Sequence, residues 1–162
     1  MNNRILLIAI SLVVCGAIFF FWPSDEKKIR GKLSSLAEYC STAKEEPIME
    51  TMQKAAKTAK LCTDPCAIQI ESLKIDREFS QKELVDRLLM MKKRLPDTEF
   101  NFDDIVVEVA DNNRAEVTTT LRINGVIVDE QITDAYEIHI TAEKKDGGWL
   151  FSSFAVVEFM NK

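Results

Sequence analysis

Beyond residue 24 the apolar positions of the chain follow two periods, and the change between them separates a helical half from a half built of strands. Ile29, Leu33, Leu36, Cys40 and Ala43 recur at three- and four-residue steps, with Lys28, Arg30, Lys32 and Glu38 on the remaining surface. This is the stripe of a helix with one buried face. Ser24 supplies its N-cap, and Asp25 and Glu26 its acidic first turn. Past Lys44-Glu45-Glu46-Pro47, a second helix carries Ile48, Met52, Ala55, Ala56 and Ala59, whose alanines permit close packing. Leu61-Cys62-Thr63-Asp64-Pro65 stops it, and Cys66 to Glu71 alternates as a strand. A third helix opens at Ser80, where Ser80 and Glu83 have capping-box spacing ahead of Leu84, Val85, Leu88, Leu89, Met91 and Leu95, and Pro96 closes it.

From there on the period is two. Strands are expected over roughly 99–110, 114–124, 130–143 and 148–159, punctuated by Asp111-Asn112-Asn113, Asn124-Gly125 and Asp146-Gly147-Gly148. In the second of these, Ala115, Val117, Thr119, Leu121 and Ile123 share one face, and Arg114, Glu116, Thr118, Thr120 and Arg122 the other, so one sheet face is wet. The last strand reads as apolar on both faces, with Trp149, Phe151, Ala155 and Val157 against Leu150, Phe154 and Val156. It is expected to need cover on both sides, which points to a homodimer or an envelope protein partner at the open sheet face.

Residues 5–22 carry no charge, and as a helix at ~1.5 Å per residue they extend about 27 Å, just enough to span a bilayer. A cleaved signal has a shorter apolar region and small residues at its cut. Cutting at Cys15-Gly16-Ala17 would leave Ile18-Phe19-Phe20-Phe21-Trp22 as the new terminus. The segment 1–23 is therefore read as an uncleaved transmembrane signal-anchor, with Trp22 at the membrane interface and Pro23 ending the membrane helix. The soluble domain then occupies 24–162. Lys27, Lys28, Arg30 and Lys32 taken literally place it in the cytoplasm, but a domain-sized segment is translocated despite such charges. The expected location is a bacterial inner membrane, single-pass, with the domain in the periplasm or outside the cell.

Composition narrows the function classes. The 162 residues carry 21 Lys and Arg against 26 Asp and Glu, a net charge of −5, evenly mixed in sign. No basic stripe exists to release counterions from a nucleic acid, so nucleic-acid binding is excluded as an expectation. The length left after the leader suits one domain with one core.

The order helix, helix, strand, helix and four long strands, ending in "DGGWLFSSFAVVEF", resembles the nuclear transport factor 2-like superfamily, also called SnoaL-like or cystatin-like. The likeness covers about residues 25 to 160, and its most telling pieces are "LCTDPCAIQI" and the Gly-Gly-Trp hairpin. More closely, the chain is similar to membrane-anchored bacterial members. The resemblance implies an α+β cone of three helices packed on a curved, mainly antiparallel sheet. Members include dehydratases, isomerases, noncatalytic binding modules and envelope scaffolds, and fold alone does not choose among them.

Candidate chemistry is sparse. An enzyme of this fold would use a desolvated carboxylate, His or Tyr inside the cone. His139 is the only histidine and shares a strand face with Glu137 and Thr141, away from the apolar set. Tyr39, Tyr136 and Trp149 lie on apolar faces and are the candidate pocket-lining residues. Cys62-x3-Cys66, with Cys40 and His139 distant in sequence, is a poor metal or thiol-redox pattern, so no metal and no cofactor is expected. If the first two helices form an antiparallel hairpin, Cys40 and Cys62 stand about 15 Å apart, beyond the roughly 7 Å reach of a disulfide. That leaves Cys62 with Cys66 as the candidate bridge, holding the helix-to-strand corner in an oxidising envelope with Cys40 a free buried thiol, and plain buried thiols as the competing reading. The leading function is a membrane-anchored, noncatalytic extracytoplasmic binding or scaffold module, with a small apolar ligand as one possible occupant. The alternative is a small-molecule lyase or isomerase with its site in the cone.

Overall fold

A computed structural model of the protein describes residues 24–127 and 130–159. Helices α1 (Asp25–Cys40) and α2 (Ile48–Lys60) lead into β1 (Cys62–Ile70), a 3-10 turn (Glu71–Leu73) and β2 (Ile75–Phe79). Helix α3 (Gln81–Arg94) follows, and then β3 (Thr98–Val109), β4 (Arg114–Ile127), β5 (Glu130–Lys145) and β6 (Gly148–Phe159). The six strands form one sheet in the order β2-β1-β6-β5-β4-β3. Strands β1 and β6 are parallel, and the other neighbours are antiparallel. Three helices on one face of this mixed sheet make an α+β, cone-like fold.

The helix ends are set by the local signals. The Ser24 hydroxyl accepts from the Lys27 N–H at 3.3 Å. Ser80 and Glu83 form the reciprocal capping box, with Ser80 N–H donating to Glu83 at 2.9 Å and Glu83 N–H donating to Ser80 at 3.3 Å. At the far end of α1, the Ser41 hydroxyl donates to Ala37 O at 2.7 Å and accepts from Phe100 N–H at 3.0 Å, which stitches the helix to β3. Thr42 and Thr98 add a two-bond bridge beside it. Ile29, Leu33 and Leu36 on the buried stripe of α1 meet Val117, Ile140, Trp149 and Phe151 in one core.

Several expectations are corrected. Strand β2 is an additional strand. Its inner-face positions are Ile75, Arg77 and Phe79, paired with Ile70, Ile68 and Cys66, and the arginine in the middle breaks the apolar alternation that would announce it. Strand β6 is not apolar on both faces. Its pairing with β5 shifts between Thr141 and Ala142 and again between Glu137 and Ile138. The first bulge puts Phe151 and Phe154 on the same inner face, opposite Ala142 and Ile140. Ser153 and Ala155 take the outer face, opposite Thr141 and His139. Asn124-Gly125 is not a turn, because β4 continues through it, pairing Asn124 with Thr133. Glycine is needed there for another reason: a Cβ at Gly125 would lie 2.8 Å from Thr98 Oγ1.

The single-pass inner-membrane reading, with its periplasmic placement, is also corrected. Among the described residues no helix is long and apolar enough to cross a membrane. The longest, α1, has 16 residues, about 24 Å at ~1.5 Å per residue, and it begins Asp25-Glu26-Lys27-Lys28. The apolar run 5–22, including Trp22, lies outside the described residues.

Candidate functional site

The strand alternation delivers two unlike sheet faces. The outer face carries Glu116, Thr118, Thr120, Glu137, His139 and Thr141. His139 stands there exposed, 3.3 Å from Glu137 Oε1. The inner face carries Val117, Thr119, Leu121, Ile138, Ile140, Phe151 and Phe154. Thr119 is its most buried polar side chain, 2 % exposed, and its hydroxyl donates to Asp103 O at 2.7 Å.

Of the sequence-selected residues, Tyr136 lies on this inner face, half-buried against the core, with its hydroxyl 3.3 Å from Asp134 Oδ2. Burial and Asp134 push its phenol up. Trp149 is filled into the core at 1 % exposure. Tyr39 lies between α1 and α2, with Lys57 Nζ 5.3 Å from its ring centroid. The three residues are thus not gathered at one site.

Trp149 instead takes part in a lock at the start of α1. Its indole N–H is buried beside the Asp25 carboxylate without forming a hydrogen bond. Lys144 and Lys28 each hold an Asp25 oxygen at 3.2 Å. The indole above all, opposed by burial and aided by the two lysines, brings the Asp25 pKa down to about 2. Because that value is below the ordinary 3.8, the folded state binds fewer protons than the unfolded chain at intermediate acidity. The stabilisation is present above about pH 4 and lost as pH falls toward 2. Asp25→Asn is expected to cost on the order of 1 kcal/mol at pH 6, discounted for a carboxyl 28 % exposed. Urea titrations of both proteins should show that difference shrinking between pH 4 and pH 2, and a pH-independent difference would contradict the assignment.

Cys40, Cys62 and Cys66 are free thiols. Cys62 donates to Thr58 O at 3.6 Å. The Cys66 thiol beside it, and then burial, push Cys62 up. Cys40 is driven by burial up to about 11, against the opposing pull of Lys92 and of Thr58 beside it. Cys40 therefore sits beside the last turn of α2, not its first, and the antiparallel hairpin expected for α1 and α2 is corrected. The 41–47 connection first pairs Thr42 with Thr98, which carries the chain across the end of the sheet before α2 begins.

That connection covers a charge cluster no sequence pattern announced. The Lys92 side chain is 0 % exposed and the Glu46 side chain 1 %. Lys92 Nζ donates to Ser41 O at 2.7 Å and lies 3.8 Å from Glu46 Oε2. Lys54 pairs with the other Glu46 oxygen, and Thr51 donates to Glu46 Oε2 at 2.9 Å. Burial raises Glu46, but Lys54, Thr51 and Lys92 outweigh it and hold the carboxyl low. Burial lowers Lys92 more than Glu46 restores it. The only signal in sequence is a lysine seven residues after Val85, on the α3 row that packs inward.

Two larger recesses remain. A cleft of about 760 Å3 between α1 and the adjoining ends of β3, β4 and β5 is lined by Thr42, Asn101, Asn124 and Thr133. It is roomy but open, and its carboxylates Glu38, Asp97 and Glu99 are exposed, so no desolvated reactive group converges on it. The second, about 600 Å3, is a groove between α3 and the inner face of the β1–β2 hairpin. Leu84, Leu88, Met91 and Leu95 form one stripe of α3 along it, facing Ile68, Ile70, Ile75 and Phe79. Leu84 and Phe79 are buried at its floor, whereas Ile70, Ile75, Leu88 and Met91 stay half-exposed. A volume in this range and an apolar lining are the usual properties of small-molecule sites, which makes this groove the better candidate despite its smaller size.

No family model and no curated protein matches the chain. Solved structures do. A nuclear transport factor 2-like protein with a cystatin-like fold from Novosphingobium aromaticivorans superposes with a TM-score of 0.66 at 9% identity, covering 96% of this chain and 88% of that one. A hexachlorocyclohexane dehydrochlorinase, LinA type 2, matches with a TM-score of 0.68 at 13% identity over 85% and 86%. A Kribbella flavida protein gives 0.70 at 15% identity over 85% and 92%. The order of elements, the mixed sheet and these superpositions together give this chain the nuclear transport factor 2-like, cystatin-like fold.

Proposed function

We propose that the protein is a noncatalytic binding module that takes a small apolar molecule in the groove between α3 and the β1–β2 hairpin. The observation that carries this reading is the continuous apolar lining, from Ile68 and Ile75 across to Leu88 and Met91, left half-exposed at the edge of the sheet. Closing that surface against an apolar ligand is favourable at about 25 cal/mol per Å2 removed from water. Lyase or isomerase chemistry, the activity class of the dehydrochlorinase that shares the fold, requires a positioned base. The groove lining contains no carboxylate, histidine or tyrosine, which favours binding over turnover.

Titration with Nile red, a neutral apolar dye, tests the reading. One saturable site is expected, with affinity lowered about tenfold or more in Leu88→Gln, since a polar group there is desolvated without a partner. The thermal midpoint of the variant serves as the check on folding. Absence of saturable binding, or binding unchanged in the folded variant, would sink the proposal.

A further inference from the structure

Resting on that reading, we infer that the ligand of the α3 groove is an amphiphile with an anionic head, of the long-chain carboxylate class. The polar side chains of the groove lining are two arginines, Arg87 and Arg94, both exposed on α3. They stand seven residues apart, two helical turns or about 10 Å along the axis, in the row flanking the apolar stripe. Neither makes a hydrogen bond or a close ion pair with another described residue, and Arg87, one turn beyond Glu83, helps from a distance to hold that carboxyl low. Arg77, on the neighbouring strand, shows what a satisfied arginine looks like here: it pairs with Glu83 at 3.1 Å and lies 4.6 Å over the Phe79 ring. Arg87 and Arg94 are thus available cations bordering an otherwise apolar channel.

That combination selects a head and a tail. The guanidinium fork matches a carboxylate with two parallel hydrogen bonds, which a neutral alcohol cannot reproduce and a cationic head would oppose. The stripe from Leu84 to Leu95 runs about 16 Å along the helix, long enough to lay an acyl chain against Ile68, Ile70 and Ile75 while the head remains at the exposed edge. Leu73, 64 % exposed, and Met90, 48 % exposed, flank the opening and extend the apolar surface available to the tail.

Calorimetric titration of the full chain with dodecanoate, dodecanol and dodecyltrimethylammonium, below their micelle concentrations, tests the inference. Dodecanoate is expected to bind one to one and tightest of the three. The double variant Arg87→Gln/Arg94→Gln should raise its Kd about tenfold and change the dodecanol Kd less than twofold. Both substitutions lie on the surface, so folding is retained. Equal binding of dodecanoate and dodecanol, unaffected by the double variant, would overturn the anionic head while leaving the apolar groove standing. Failure of all three to bind, or dodecanoate binding that persists in Leu88→Gln, would overturn the groove itself.

Discussion

Glu46→Ala is expected to destabilise the protein by about 3–5 kcal/mol at pH 7, the cost of stripping a buried charge of its counter-ion. The arithmetic lies in Lys92, whose side chain is 0 % exposed. Without Glu46, its ammonium retains Ser41 O at 2.7 Å and the Thr42 hydroxyl at 3.4 Å but no negative charge. Lys54 is less affected, being 20 % exposed and able to keep Glu50 at 3.0 Å. The pH dependence identifies the cause. Lys92 is already held below its ordinary pKa by burial, and loss of Glu46 lowers it further. Between the folded and unfolded pKa values the folded state binds fewer protons than the unfolded one, so stability rises with pH. The gap between wild type and variant should therefore narrow by about 1 kcal/mol or more from pH 7 to pH 9. Urea unfolding at both pH values measures it. A gap under about 1 kcal/mol at pH 7 is the surface-pair result, and it would show that the cluster is solvated.

Phe151→Ala is expected to cost about 3–5 kcal/mol and Phe154→Ala about 1–2 kcal/mol, with both losses arising on the same side of the sheet. Phe151 is 0 % exposed and Phe154 half-buried against the same core. Their ring centroids are 5.7 Å apart in an edge-to-face arrangement. A double-mutant cycle should return a coupling of about 0.5–1.5 kcal/mol. Strict alternation along β6 would place the two rings on opposite faces and give additive losses. Additivity within experimental error, or a Phe154→Ala effect below about 0.5 kcal/mol, would contradict the register shift between Thr141 and Ala142 that turns Phe154 inward.

The candidate groove was half legible. Leu84, Leu88, Met91 and Leu95 are visible in the sequence as a stripe, but a stripe predicts burial, and periodicity cannot say that part of it stays open. That depends on β2, whose five residues with Arg77 in the middle carry too little alternation to be read as a strand. Tyr136 lies on the inner face that its alternation with Ile138 and Ile140 indicates, but a face is not a location. Trp149 is packed into the core and Tyr39 lies beside Lys57 between α1 and α2, so a shared apolar character did not bring them to one site.

What the sequence by itself determined is what neighbouring residues decide among themselves. The Ser80–Glu83 capping box opened α3, the three- and four-residue steps placed α1 and α2, and the alternation from Ala115 to Leu121 divided β4 into a wet and a dry face. These follow from backbone hydrogen bonding and side-chain period, which act within a few residues. Tertiary structure alone decided the parallel β1–β6 pairing, the bulges that turn Phe154 inward, and the meeting of Glu46, Lys54 and Lys92 beneath the 41–47 connection. Each joins segments distant in the chain. A buried charge is tolerated only where its partner arrives, and a register shift is favoured only by the core it fills.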